Sequence, residues 1–261
     1  MFIFPYRDDN PHDTVPIVTW LLIGACVCVF LWQTSLPQRA EEAAVLGLGF
    51  IPAVLFGSAE LDRDLVIVPA WASIFTSMFM HGGWLHLIGN MVYLWIFGDN
   101  VEASLGRVRY LAFYLLCGVA AALSQALPDT SSTIPMVGAS GAIAGVLGGY
   151  LLLHPRANVR VLFIFFVIFR TINVPAMIVL GAWFAMQLWQ GATVASDQGG
   201  VAFWAHVGGF AAGVVLVPLM KKRGVTLFDS RKTTPFAVAE APIVRRRGGS
   251  VPEVRGRYWR E

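Results

Sequence analysis

The 261-residue chain is short of charge. Asp, Glu, Lys and Arg make up 13% of it, against 56% hydrophobic residues, where soluble globular chains carry about 25% charged residues. An ordinary water-facing surface is therefore excluded. Lysine is scarcer still: Lys221, Lys222 and Lys232 are the only ones, and eight of the arginines also lie past position 220. The net charge of +3 thus belongs to a basic tail behind a nearly uncharged body. No basic, aromatic-interleaved face precedes that tail, which argues against nucleic acid as a partner. Cysteine is rare too. Cys26, Cys28 and Cys117 are odd in number, sit in apolar runs and lack metal-ligand spacing, so neither a disulfide framework nor a thiolate metal site is expected.

What the chain has in quantity is apolar sequence in long runs. A spanning helix needs about 20 mostly apolar residues, and candidates fall at 16–35, 74–97, 108–127, 137–153, 174–190 and 200–220. The run at 161–169 (VLFIFFVIF) is shorter and reads as an interfacial or packed lead-in, with a seventh span as the competing reading. Basic residues orient the chain. Arg107 and Arg109 lie between the second and third spans, and Arg156, Arg160 and Arg170 between the fourth and fifth. The connections PDTSSTIP and QGATVASDQGG carry none. Six spans with both termini in the cytoplasm satisfy every loop, whereas seven would put the basic tail outside. The expected organisation is a short cytoplasmic N-terminus (1–15), a membrane domain (16–220) and a basic, disordered cytoplasmic tail (221–261) whose RRR at 245–247 reads as a solvated run, with contact to anionic lipid headgroups as the competing reading. The first run is expected to stay as an anchor, since no cleavage site closes it. The segment 36–73 is too long for a plain connector and is expected to pack at the outer interface.

Polar residues at membrane depth are costly and mark function. No Asp, Glu or Lys falls inside any proposed span, and Asp99 and Glu102 sit at the exit of the second. That argues against proton-relay transport, a Ser–Lys dyad and paired-aspartate chemistry, and the absence of HExxH argues against a zincin-type metal site. The remaining groups considered are His, Ser and Asn. His81 and His86 open the second span in HGGWLHLIGN, with Asn90 one turn past His86 on the same helix face. Ser140 opens the fourth in GASGAIAG, and His206 lies early in the sixth in WAHVGGFAAG. His12 and His154 fall in loops. Spans two, four and six all run from outside to inside, so the five residues share one depth. Glycine with serine in a membrane helix commonly serves packing, and a single His or Asn commonly bonds a neighbouring helix. Their conjunction at one depth fits acyl transfer better: a Ser hydroxyl activated by a His base, with donors for an oxyanion. Gly141 and Gly145, and Gly209 and Gly213, are spaced to let helices approach closely.

HGGWLHLIGN, GASG and AHVGGFAAG, in that order on alternate spans, resemble the rhomboid family of intramembrane serine proteases. The likeness covers about residues 15–220, and GDNVEASLG at 98–106 is similar to the family pattern there. It implies an all-α, polytopic bundle of six transmembrane helices with a long outer loop between the first two. It implies Ser140 as nucleophile and His206 as base with no third acid, His86, Asn90 and the Ser140 N–H at the oxyanion, and no metal or cofactor. His81 matches a position at the mouth of the site, and Gly138 matches the small residue opening GxSG. One departure is plain: where the family often carries a Trp–Arg pair, this chain has Trp71 followed by Ala72.

The expected protein is a multi-pass membrane protease, placed in a bacterial inner membrane. It would cut transmembrane helices of single-pass substrates near their outer end, with the lipid bilayer as its other partner. A non-proteolytic helix-binding relative and a small-solute channel are the alternatives.

Overall fold

The computed structural model describes residues 2–10, 14–165, 168–193 and 202–229. The expected disordered tail falls mainly on 230–261, and His12 on 11–13, both outside the described residues. Nine α-helices occur among the described residues: α1 Ile17–Ser35, α2 Gln38–Leu48, α3 Pro52–Phe56, α4 Ala70–Thr76, α5 Trp84–Leu105, α6 Arg107–Ala126, α7 Ser140–Leu153, α8 Ala176–Thr193 and α9 Phe203–Met220. By length and apolar composition α1, α6 and α9 can each cross a bilayer, and a fourth crossing results if Arg63–Phe79 and Trp84–Leu105, bent by 81°, form one span. Leu85, Trp189 and Leu219 turn 87%, 71% and 77% of their surface outward, an arrangement that suits lipid and not water. This is an integral membrane protein.

The second span departs from the expected 74–97. Its approach is α4 and a 3-10 turn at Ser77–Phe79, and α5 starts only at Trp84, after the Met80–Gly83 break, and runs to Leu105. A hydropathy sum over 74–97 cannot register the bend. Asp99 and Glu102 consequently lie within the last turns of α5. Glu102 serves the structure there, since its carboxylate accepts from Val18 N–H (3.0 Å), Thr19 N–H (2.8 Å) and the Thr19 hydroxyl (2.9 Å). The N-terminus of α1, preceded by a proline with no side-chain cap, is thereby capped by an anion from α5, which its unpaired N–H groups and dipole favour.

The all-helical expectation does not hold throughout. Strands β1 Phe2–Asp8, β2 Asn158–Phe165 and β3 Ile168–Pro175 form an antiparallel sheet in the order β1-β2-β3. The register runs from Phe2↔Ile164 to Asp8↔Val159, and from Asn158↔Pro175 to Phe165↔Ile168. The described residues of the apolar run 161–169 are therefore strand, at the end of β2 and the start of β3, and not a seventh helical span; β3 leads directly into α8. A short β-branched and aromatic run reads equally as strand or buried helix by periodicity, and its decisive partner, β1, lies some 150 residues away.

The segment 36–83 is held without a Trp–Arg pair. Phe50, fully buried, exchanges backbone hydrogen bonds with Met136 (3.0 and 2.8 Å). The Thr76 hydroxyl donates to Leu48 O (2.6 Å). Trp71 faces outward.

At the opposite end of the bundle β1 ties two helices together. The Asp8 carboxylate accepts from the Tyr150 hydroxyl of α7 (2.6 Å) and from Asn100 Nδ2 of α5 (2.9 Å). Burial pushes this carboxyl up to about 7, the Tyr150 hydrogen bond opposing and Asp99 and Asp9 adding to the rise. A carboxyl raised in the fold favours the fold while protonated, so its contribution is fully present below about 4 and is lost as pH rises to about 7. In detergent, the wild-type melting temperature should fall more between pH 4 and pH 7 than that of Asp8→Asn, whose amide keeps an acceptor. Equal slopes would refute this.

Helices α7 and α9 lie side by side in parallel, with glycine against glycine. A Cβ added at Gly209 would strike the Gly141 carbonyl, one at Gly213 the Gly145 carbonyl, and one at Gly148 the Phe210 carbonyl. Gly213→Val should lower stability by roughly 1–3 kcal/mol or more, the cost of overpacking. Gly24→Ala on α1, which has nothing within 4 Å, should leave the melting temperature unchanged or raise it. Thermal melts of both variants provide the check.

Candidate active site

Ser140 is the first residue of α7, reached through Gly138, whose φ of 129° lies where side chains are strained. Gly138 N–H donates to Ser77 O (2.9 Å). A Cβ there would stand 2.7 Å from His86 Cε1 and 2.8 Å from His86 Nε2, so the glycine serves both the turn and the space for the His86 ring. His206 lies in the first turn of α9 and is buried. That turn is secured from α6, where Gln125 Oε1 accepts from Ala205 N–H (3.1 Å). Because α7 and α9 meet backbone to backbone, their short-reaching side chains can touch. Ser140 Oγ lies 2.9 Å from His206 Nε2.

The pair opens into a cavity of about 680 Å³ whose wall includes His86, Asn90, Gly138, Gly141 and Trp183. Asn90 Nδ2 is buried and has no hydrogen-bond partner. His86 Nδ1 accepts from Gly82 N–H (3.4 Å), which leaves Nε2 to carry the proton and to face Gly138. Ser140 adds the donors of a helix N-terminus. Unpaired N–H groups from α5 and α7 thus converge beside a Ser–His pair.

His81 does not reach this cavity. It is fully buried behind His86, ring centroids 5.3 Å apart, and its Nδ1 pairs with Phe79 O (3.2 Å). Its backbone is clamped by Gln33 of α1, whose Nε2 donates to His81 O (2.9 Å). Gly209 does not line the cavity but lies against Gly141 in the α7–α9 contact. His154 is at the far end of α7, 4.0 Å from Asp229. Among the described residues no three His, Cys, Asp or Glu are grouped to hold a metal ion.

Two residues of α8 escaped the sequence reading. Gln187 Oε1 lies 2.7 Å from His206 Nδ1, and the Trp183 ring lies 5.6 Å from the imidazole at 39°. The signal was present: an amide in the middle of an apolar helix, four residues past a tryptophan.

The chain has relatives among known sequences. The Rhomboid domain family model matches residues 69–223, more than half of the chain. The chain is 31% identical over 220 residues to Rhomboid protein 1, mitochondrial, of Saccharomyces cerevisiae, covering 81% of this chain and 54% of that one. It is 32% identical over 163 residues to RHOMBOID-like protein 5 of Arabidopsis thaliana (54% and 53%), and 30% identical over 163 residues to Rhomboid protease GluP of Bacillus subtilis (62% and 29%). It spans about half the length of the first two relatives. A membrane bundle in which the Ser of GASG meets the His of AHVGG, matched by the Rhomboid model across that whole region, places this chain in the rhomboid family.

Proposed function

We propose that this protein is an intramembrane serine endopeptidase that cuts transmembrane segments of single-pass membrane proteins near their outer end. The observation that carries the reading is the 2.9 Å contact between Ser140 Oγ and His206 Nε2 over a cavity into which Asn90 presents an unpaired amide. Ser140 Oγ attacks the scissile carbonyl carbon as its proton passes to His206 Nε2. The oxyanion accepts from Asn90 Nδ2–H, His86 Nε2–H and the Ser140 N–H. Collapse breaks the C–N bond, and the leaving amine takes the proton from His206. A water, deprotonated by the same nitrogen, then attacks the acyl-enzyme; the acid leaves and Ser140 regains its proton.

The six-span topology with both ends in the cytoplasm, comprising α1 and α5 to α9, belongs to the same proposal. Sheet pairing requires residues 2–8 and 158–165 to lie on one side of the membrane, so an even number of crossings separates them. Phe228 and Asp229 donate to Leu152 O (2.7 Å) and Leu153 O (2.9 Å) at the end of α7, so an even number also separates 153 from 228. Four crossings followed by two satisfy both conditions. The 14 residues of α7 rise about 21 Å at 1.5 Å each, against a hydrocarbon core of about 30 Å. With α7 anchored at its inner end, Ser140 sits roughly a third of the way down from the outer surface. Substrate reaches that depth sideways from lipid.

In detergent, the purified protein should cleave a fluorescent transmembrane substrate and react with a serine-directed fluorophosphonate. Ser140→Ala should cut turnover by at least about 10³-fold and abolish labelling without changing the melting temperature much. Undiminished cleavage by that variant refutes the assignment. Asn90→Ala should lower kcat by about 10²–10³-fold with KM little changed, as loss of one oxyanion donor does; a KM effect alone would remove Asn90 from that role.

A further inference from the structure

A histidine that is to take a proton from serine must present a bare Nε2, so its own proton has to sit on Nδ1. Serine hydrolases commonly secure that arrangement with a carboxylate. Among the described residues, the wall of the cavity around His206 carries no Asp, Glu, Lys or Arg, and a carboxylate at that depth would carry a large desolvation cost. The group that meets Nδ1 is the Gln187 side-chain oxygen, 2.7 Å away, on a residue only 4% exposed. Trp183, one turn earlier on the same helix, lies beside the imidazole ring. Phe184 stacks on Phe210 at 4.3 Å, one turn past His206. One face of α8 therefore bears on both the edge and the plane of the base.

Resting on the proteolytic reading above, we propose that Gln187 is a positioning residue that sets the tautomer and rotation of His206 by accepting a hydrogen bond from Nδ1–H. A neutral acceptor suits this place. It selects the Nδ1–H tautomer, leaves the Nε2 lone pair aimed at Ser140, and buries no charge. The alternative pairing is chemically distinct. With the amide reversed, its NH₂ would donate to Nδ1, the ring proton would move to Nε2, and no lone pair would face Ser140. The tautomer is thus the observable that decides the matter. Among the described residues, the other polar groups around His206 are His86 of α5 across the cavity and the Ser140 hydroxyl of α7, and Gln125 of α6 is engaged with the neighbouring Ala205 N–H.

Full-length protein labelled with ¹⁵N-histidine in detergent, with His206 assigned by difference from His206→Ala, reports the tautomer directly. Wild type should show a protonated Nδ1 and a bare Nε2, while Gln187→Met, of similar volume, should show mixed tautomers. That variant should lose about tenfold in kcat, the worth of one hydrogen bond, with KM unchanged. Gln187→Glu should lower the melting temperature because it buries a charge. At pH values where that carboxyl is ionised it should restore the Nδ1–H tautomer and most of kcat, and it should move the acid limb of the pH profile upward, since an anion beside Nδ1 favours the imidazolium. A protonated Nε2 in wild type, or full kcat and an unchanged tautomer in Gln187→Met, overturns the proposal. Melting curves identify a variant that has lost its fold, in which case the wild-type tautomer and the Gln187→Glu profile decide. Failure of the proteolytic reading shows separately, as wild type that does not cleave or Ser140→Ala that does, and leaves the tautomer measurement standing.

Discussion

The approach of α7 to α9 sets the terms for everything else in the molecule. Ser140 and His206 are on separate helices, and serine reaches only one bond beyond its Cβ. Ordinary interhelical spacing of about 8–10 Å would leave the two side chains short of one another. Gly141, Gly145 and Gly148 on one helix, and Gly209 and Gly213 on the other, remove the atoms that would hold the backbones apart. The same logic extends to α6, where Gly145 rests on Cys117 and Gly141 on Ala121. Within lipid there is no hydrophobic force to press helices together, and close packing takes its place. These glycines therefore set both the packing of the bundle and the Ser140–His206 contact.

Around this tight trio the remaining parts are attached by different means. Helix α8 leans on α9 through aromatic rings and a single amide, Gln187. Helix α5 brings His86 and Asn90 to the cavity at one end. At the other end it is tied by polar contacts, with Glu102 capping α1 and Asn100 meeting Asp8. The sheet adds a further fastening there, because β1 pairs with the connection between α7 and α8. Charged and hydrogen-bonding groups thus gather at one end of the bundle, and the reactive groups at the other. The apolar middle between them is held by packing.

Much of the candidate site was legible in the chain. Ser140, His206, His86 and Asn90 stood out because a polar group in an apolar run is costly, and their shared depth followed from counting spans. The glycine pairs were legible for a related reason, since their spacing repeats on one helix face. Other features left weaker traces. His81 looks like His86 in sequence, yet His86 lines the cavity and His81 is walled off behind it, because the helix begins only at Trp84 and puts the two on different elements. Gln187 was visible as an amide in a span, but nothing in its neighbours says which helix it will meet. The strands were hidden most deeply, since a short apolar run carries no period that separates strand from helix.

While the family came from the resemblance of three motifs, composition and spacing by themselves determined the solvent, the set of candidate polar residue types and the requirement that certain helices touch. These follow from local chemistry: the transfer cost of a charge, the missing Cβ of a glycine, the reach of a helical turn. Only the tertiary structure decided that β1 closes on a hairpin some 150 residues away, that Glu102 caps the first helix, and that the His206 ring meets the Gln187 amide of α8. Each of those depends on which surfaces meet across the bundle. A contact between distant segments is a property of the packed whole, and neither partner's sequence carries the other's position.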